Sequence, residues 1–355
     1  MTRTPTTAVV ILNWKGRHFL ERFLPSLLRH TPAETATVIV ADNASTDDSV
    51  AFLRQHYPQI RLIENDANYG FAEGYNRALQ QVEADYYVLL NSDIEVGPHW
   101  VEPVIEMLEA DPTAAAAQPK LRAFDRPTHF EYAGAAGGFI DRLGYPFCRG
   151  RLFGDVEADR GQYDTPCEIF WATGAALFVR ADLYRKFGGL DNAFFAHMEE
   201  IDFCWRLKNF GYKILYCPAS TVYHVGGGTL PKGSPRKTFL NFRNNLCLLY
   251  KNLTPGRFRR VFCVRLVLDC VAALSFLASG GWPECAAVFK AYRAFFRMRR
   301  EQRGKYGLLP RHAYVDGMYK GSIVWDYYVR RIRRFDLLSR DRFYKEDVKA
   351  STPSR

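Results

Sequence analysis

The chain has 355 residues, of which 48% are hydrophobic and 24% charged, a balance that excludes a disordered, collagen-like or disulfide-stapled protein. Its net charge of +10 is unevenly spread: residues 1–231 carry 21 Lys and Arg against 29 Asp and Glu, a net of −8, and residues 232–355 carry 27 against 9, a net of +18. Such a split points to a polyanion as partner of the second part, either a membrane surface or a nucleic acid. The eight cysteines form no Cys-x-x-Cys pair, which argues against structural zinc. Several sit in apolar runs and read as reduced core thiols of a cytoplasmic protein. Residues 1–7 show no charged start leading into an apolar stretch of signal-peptide length.

The first half alternates between strand and helix patterns. Ala8–Asn13 is an apolar run of buried-strand character, and residues 17–29 repeat apolar positions at helical spacing (Phe19, Leu20, Phe23, Leu24, Leu27, Leu28). Thr37–Ala41 predicts a second strand, Asp47–His56 a helix, Arg61–Glu64 a third strand, Phe71–Val82 a helix, and Tyr86–Leu90 a fourth strand. This rhythm predicts a doubly wound sheet, whose ligands bind beyond the carboxyl ends of the strands. Residues 120–170 are rich in Gly and aromatics and read as loops and short strands. Glu168–Val179 follows as a strand pair or a strand, Ala181–Phe187 as a short helix, Glu199–Phe210 as a helix stopped by Gly211, and Ile214–Tyr216 and Thr221–Tyr223 as two short strands. Residues 226–237 read as a basic, mobile loop, and helices are expected from Phe239 onward.

Four groups at or near strand ends carry candidate chemistry. Asp42 closes the second strand; such a residue is either a turn or cap acid or a contact to a nucleotide base or ribose. Asp93, in Asn91-Ser92-Asp93, either caps a turn or holds Mg²⁺ or Mn²⁺ against a diphosphate, since hard cations take oxygen ligands. Glu199, Glu200 and Asp202 open a helix. They complement its dipole, and Asp202 can pair with Arg206; they equally suit a general base beside the apolar wall of Phe194 and Phe195. Partial burial there would raise the base toward neutrality. His224 precedes a triple-Gly loop and reads as a structural His or as a metal or phosphate contact.

Taken in order, Asn13-Trp14, Asp42-Asn43-Ala44-Ser45, Asn68-Tyr69-Gly70-Phe71-Ala72, Asn76, Asn91-Ser92-Asp93, Gly174-Ala175-Ala176, Phe187-Gly188-Gly189-Leu190-Asp191, Glu199-Glu200-Ile201-Asp202-Phe203-Cys204-Trp205-Arg206, Gly211-Tyr212 and His224 form a specific series. It resembles the family 2 inverting glycosyltransferases, in particular their rhamnosyltransferase-like bacterial branch, over roughly residues 6–250. The resemblance implies an α/β fold of the GT-A type, a Rossmann-like mixed sheet flanked by helices that binds a nucleotide sugar. It implies that Asn13 and Asp42 touch the base and ribose of the donor, that Asn68, Gly70 and Asn76 line the nucleotide pocket, and that Asn91, Ser92 and Gly174 belong to the same donor site. Asp93 and His224 would ligate a divalent cation, Mg²⁺ or Mn²⁺. Glu200 stands at the base position, with Glu199 and Asp202 beside it. The metal motif of the family often reads Asp-x-Asp; Asn91 replaces the first Asp here. The implied reaction is a single displacement with inversion at the anomeric carbon of a dTDP- or UDP-linked sugar, rhamnose being what that branch suggests, onto a glycan or lipid-linked acceptor in cell-surface polysaccharide synthesis.

The expected division is a catalytic domain at residues 1–238 (a nucleotide-sugar half to about 120 and an acceptor half at 121–238) and a basic helical extension at 239–355. Val261–Ser279 is the most apolar stretch, yet it contains Arg265 and Asp269, so an in-plane or shallowly inserted helix is easier than a spanning one. Arginines and aromatics around it suit an anionic lipid surface, which places the protein peripherally on the cytoplasmic face of the cell membrane. No nucleic-acid-binding motif is present, and nucleic acid is not expected as a partner. The rival is a nucleic-acid- or membrane-binding scaffold on an inactive fold of the same type.

Overall fold

The computed structural model describes residues 4–226, 234–301 and 310–345. The loop expected at 226–237 lies mostly outside the described residues. Its last part, Ser234 to Lys237, already begins a helix, with the Ser234 hydroxyl accepting from the amide of Lys237 at 3.2 Å.

Strands β1 (Thr7–Asn13), β2 (Thr37–Asp42) and β3 (Arg61–Glu64) and helices α1 (Arg17–His30), α2 (Ser49–His56) and α3 (Gly70–Leu79) follow the predicted rhythm. Next come β4 (Tyr86–Asn91), β5 (Ile94–Val96), α4 (Glu102–Ala110) and β6 (Ala114–Ala123). The middle holds β7 (Gly138–Ile140), β8 (Pro146–Cys148), β9 (Arg151–Leu152), β10 (Asp155–Val156) and β11 (Cys167–Ile169). The sheet half ends with β12 (Ala176–Arg180), α5 (Ala181–Lys186), α6 (Glu199–Asn209) and β13 (Lys213–His224). Helices α7 (Pro235–Asn252), α8 (Pro255–Ala278), α9 (Trp282–Glu301) and α10 (Ile323–Tyr328) complete the chain.

The main sheet has the order β11-β13-β6-β12-β4-β1-β2-β3, with β5 paired to β13. β1 runs parallel to β2 and to β4, whereas β12 is antiparallel to β4. Sequence β1-β2-β3 therefore grows one way and β4 lies on the other side of β1. The strand order reverses at the β1/β4 boundary, where open α/β sheets place their ligands. Alternate residues of β1 serve opposite faces: Val9 and Ile11 pack with Leu20 of α1 and Phe52 of α2, while Ala8 and Val10 pack with Ala72 and Tyr75 of α3. Both faces being covered explains the unbroken apolar runs of β1, β2 and β4.

Two expectations change. The two short strands at 214–216 and 221–223 are one strand, β13, carrying an irregularity between Cys217 and Thr221 where its pairing with β6 shifts register. Within that bulge the Ser220 hydroxyl donates to the carbonyl of Trp100 at 2.5 Å, so the kinked backbone stays anchored. The division expected at 238/239 falls inside one packed body: Leu246, Leu249, Phe258 and Phe295 share a continuous core cluster with Val10, Tyr75 and Trp205. The segment at 310–345 covers the small sheet β10-β9-β8-β7, with Phe335 and Phe343 against Phe139 at 5.0 and 5.3 Å between ring centres. The cysteines are all unpaired, and Cys263 and Cys270 lie exposed on α8 in place of the expected core position.

Candidate functional site

At the carboxyl end of β1 and β2, Asn13 and Asp42 are buried and turned toward each other. The Asn13 amide donates to Asp42 Oδ1 at 2.9 Å, and Asp42 also accepts from the Ser45 amide at 2.8 Å and the Ser45 hydroxyl at 2.6 Å. The two residues expected on the base and ribose thus shape the β2–α2 turn from within. Asn13 Oδ1 is buried and has no hydrogen-bond partner. Asn43, which sequence reasoning did not single out, organises the neighbouring loop: its amide donates to Asn68 Oδ1 at 3.1 Å and to the Gly70 carbonyl at 3.0 Å. Asn68 in turn accepts from the Gly70 amide at 2.9 Å. Gly70 has φ +72°, and a Cβ there would meet the Phe195 ring at 2.7 Å, so only glycine fits this turn.

Asn76 does not join this group. Its amide donates to the Leu190 carbonyl and to Asn192 Oδ1, both at 2.7 Å, and its Oδ1 accepts from the Tyr184 hydroxyl at 2.7 Å. Every polar atom is engaged in tying α3 to the Gly189–Asn192 loop. Two turns into α3, this residue expected to line the nucleotide pocket faces that loop.

Beyond β4, Asp93 and His224 meet. His224 closes β13 and its Nε2 lies 3.2 Å from Asp93 Oδ1 and 3.4 Å from Asn91 Nδ2. The β13–β5 pairing, His224 opposite Ile94, sets this approach. On the other edge of the ring, Nδ1 lies 3.4 Å from Glu131 Oε1 without hydrogen-bond geometry. Burial alone would lower the imidazole; Glu131 and Asp93 outweigh it and raise it to about 10. Burial alone would likewise raise the Asp93 carboxyl, and His224 holds it below the usual carboxylate value. Glu131, 93 residues from its partner and inside the weakly periodic middle, carried no sequence signal. Among the described residues no cluster of three or more His, Cys, Asp or Glu is arranged to hold a metal ion. Asp93 and His224 offer one carboxylate and one imidazole, a donor pair that fits a divalent cation completed by ligand oxygens. A carboxylate behind the second ring nitrogen is the usual support for a metal-bound His.

The three acids of α6 separate by environment. Asp202 is fully buried and accepts from Arg206 at 2.9 Å, Lys251 at 2.7 Å and Asn252 at 2.9 Å. Expected as a neighbour of the base, it is the centre of a core network that joins α6 to α7. Glu199 is also buried, its Oε2 lacks a partner, and burial together with Glu200 raises it far above the usual range. Glu200 is half-buried, and burial raises it to about 7. It faces Gly174: a Cβ on that glycine would lie 3.7 Å from Glu200 Cβ and 3.1 Å from the Phe71 ring. The next residue, Ala175, accepts from the Asn91 amide at 3.0 Å. Glu200, Gly174 and Asn91 are thereby brought to one sheet end, with Ser92 Oγ facing Gly16 across it.

The turn before α6 is strained. Phe195, His197 and Met198 have φ of 65°, 68° and 74°, a region that costs a non-glycine residue about 1 kcal/mol or more. Two neighbouring side chains of α7 hold it: the Asn244 amide lies 3.0, 2.8 and 2.7 Å from the carbonyls of Phe194, Ala196 and His197, and the Arg243 guanidinium donates to the Phe194 carbonyl at 2.8 Å. The Phe195 carbonyl caps α3 through the Phe71 amide at 2.8 Å. His197 Nε2 is buried without a partner, and burial with the nearby Lys237 lowers this imidazole to about 4, so it is neutral.

Residues 8–174 match the family described as Glycosyl transferase family 2. The chain carries a family 2 glycosyltransferase domain. Among curated relatives, the N-acetylglucosaminyl-diphospho-decaprenol L-rhamnosyltransferase of Mycobacterium tuberculosis is 28% identical over 237 residues, covering 62% of this chain and 76% of its own. A pre-mycofactocin glycosyltransferase of the same organism is 25% identical over 208 residues, covering 57% of this chain and 40% of its own. Among solved structures, GalNAc-T7 with UDP, GalNAc and Mn²⁺ aligns with TM-score 0.57 at 16% identity, over 72% of this chain and 49% of that one. The mannosyltransferase PcManGT from Pyrobaculum calidifontis, in complex with GDP-Man and Mn²⁺, aligns with TM-score 0.51 at 16% identity, over 86% and 84%. At such identity the likeness is one of fold, and the transferase has the GT-A architecture that the motif resemblance implied.

Proposed function

We propose that this glycosyltransferase moves a sugar, rhamnose, from a dTDP- or UDP-linked donor to a hydroxyl of a lipid-linked glycan by metal-dependent single displacement with inversion. The observation that carries the reading is the convergence at the end of β4: the Asp93–His224 pair stands beyond Asn91, and Glu200, raised to about 7, stands beside Gly174 next to it. The M. tuberculosis relative supports the choice of sugar and acceptor, because its name gives L-rhamnose as the group transferred and an N-acetylglucosaminyl-diphospho-decaprenol as the acceptor.

Asp93 and His224 would hold Mg²⁺ or Mn²⁺, with Glu131 orienting the imidazole. Such a cation supplies positive charge for the diphosphate as it leaves. Asn13 and Asp42 shape the turn that receives the base and ribose, and the Asn68–Gly70 loop forms its other wall. Glu200 accepts the proton of the acceptor hydroxyl as the new bond to the anomeric carbon forms and the bond to the diphosphate breaks; attack from the opposite face inverts the centre. A base near neutrality is half ionised at the operating pH, the best compromise between availability and strength. Burial and Glu200 raise the neighbouring Glu199 well above the usual carboxyl range.

The test is a thermal-shift series of the purified protein with UDP, dTDP, GDP and CMP, each with Mg²⁺, Mn²⁺ or EDTA. The expected result is a cation-dependent rise with dTDP or UDP, since a ligand of the native state stabilises it by mass action. Equal shifts with and without EDTA would remove the metal from the reading.

A further inference from the structure

Helix α8 is built inside out. The helix contains an 18-residue stretch of mean hydropathy 2.2, long and apolar enough by composition to cross a membrane, yet only 22% of that stretch is buried. Its central charges point inward. Arg265 donates to the Leu143 carbonyl at 3.1 Å, to the Asn245 side chain and to Asp269 at 3.2 Å. Asp269 also accepts from the hydroxyls of Tyr145 at 3.2 Å and Tyr292 at 2.8 Å. The outward face carries Val264, Val267 (63% exposed), Val271 and Leu274 (63%), and beyond the turn Trp282 (69%) and Phe289 of α9 continue it. A helix facing water has the reverse pattern, and an apolar surface of this extent marks an interface.

We propose that this face is a lipid-docking surface: the α8–α9 hairpin lies in the plane of an anionic membrane, its outer side sunk between headgroups and acyl chains, without spanning it. The inference deepens the lipid-linked acceptor reading above and rests on it for its purpose. Spanning is opposed by the inner face, because the Arg265–Asp269 pair is bonded to α7, to α9 and to the Leu143–Tyr145 loop, and extraction into lipid would strip it of those partners. The two helices lie antiparallel along each other, Phe258 and Phe262 meeting Phe295 at 6.1 and 6.0 Å. One broad side is therefore presented along the whole hairpin.

The charge on its rim selects the occupant. Residues 255–301 hold nine Lys and Arg against three Asp and Glu. Arg259 and Arg260 at the start of α8 and Lys290, Arg293 and Arg297 on α9 are exposed. A second copy would set these cationic rims against each other, which costs energy, whereas anionic headgroups neutralise them. Trp282 at the tip suits the headgroup boundary.

Cys263 and Cys270 are exposed on α8, whereas Cys148, Cys204, Cys217, Cys247 and Cys285 are buried, so the hairpin carries its own probe. Maleimide labelling of the full chain is followed by peptide mass at these two thiols. Vesicles of phosphatidylcholine with phosphatidylglycerol are expected to slow labelling about tenfold or more, and phosphatidylcholine alone far less. Val267→Asp with Val271→Asp, at positions already facing solvent, is expected to abolish protection while leaving nucleoside-diphosphate thermal shifts intact. Unchanged labelling with anionic vesicles overturns the proposal. So does protection that grows with protein concentration alone together with a doubled mass, or protection by RNA in place of vesicles. Retention on membranes after carbonate extraction overturns the in-plane orientation. Loss of the diphosphate shift with vesicle protection intact would instead break the functional reading and leave the docking face standing.

Discussion

The β1–β2 end of the sheet and the turn before α6 both gather polar side chains but bond them to different extents. Around Asp42, Asn43 and Asn68, donors and acceptors largely answer each other, with Asn13 Oδ1 left without a partner. Around α6, Glu199 Oε2, Glu200 Oε2 and His197 Nε2 are buried without a partner, on a turn that runs through three positive φ angles. Buried polar atoms are nearly always bonded, because an unmet one costs about 1–3 kcal/mol. The difference teaches that a buried acid becomes a candidate for chemistry through what it lacks, and Asp202, two residues from Glu200 and fully bonded, is the internal control.

That contrast can be broken by substitution. Glu200→Gln should reduce transfer by about 10²–10⁴-fold while donor binding persists, read by steady-state kinetics beside thermal shift. Asp202→Asn should act on stability: it leaves Lys251 and Arg206 short of a buried counter-charge, an expected loss of about 3 kcal/mol in urea unfolding. Transfer per folded molecule should survive. If Asp202→Asn abolishes transfer with stability unchanged, the distinction between bonded and unbonded acids fails.

Asn244→Ala should relax the turn that presents Glu200. The expected outcome is a kcat lowered about tenfold to a hundredfold by misplacement, with donor KM little changed; the same drop in both would point to general unfolding. The pH profile gives a finer test. Burial raises Glu200 to about 7, and the base works only when deprotonated, so kcat/KM should rise about tenfold per pH unit below that value and level above it. Burial and Glu200 raise Glu199 well above the usual carboxyl range, which makes Glu200 the acid expected to ionise first. Glu199→Gln should therefore leave that acid limb within about one unit, the smallest effect of the set. A limb that moves far down would make Glu199 the titrating acid.

Much of this architecture was legible beforehand. Apolar runs of strand length separated by helical repeats announced β1 to β4, and the polar residues closing them, Asn13, Asp42 and Asn91 to Asp93, lie at the sheet ends where ligands of such folds bind. The ordered motifs named the family. Less legible were the partners. Glu131 reaches His224 from a segment without periodicity, and Asn244 reaches the turn at 194–197 from a helix expected to belong to a separate extension. Asn76, expected at the nucleotide, is bound to the Leu190–Asn192 loop because its position on α3 points there.

The sequence by itself determined the strand–helix order, the identity of the residues at strand ends, the charge asymmetry between the two parts of the chain and the presence of one long apolar helix with two charges in it. These follow from local patterns, because periodicity and turn chemistry act over a few residues. Only the tertiary structure decided which of three adjacent acids is bonded and which is left open, and which way the charges of α8 face. Both depend on residues tens to more than a hundred positions away: Lys251 and Asn252 for Asp202, Tyr145 and Asn245 for Asp269 and Arg265. Whether a buried charge is satisfied is settled by the partner that packing brings to it, and a one-dimensional pattern carries no record of that partner.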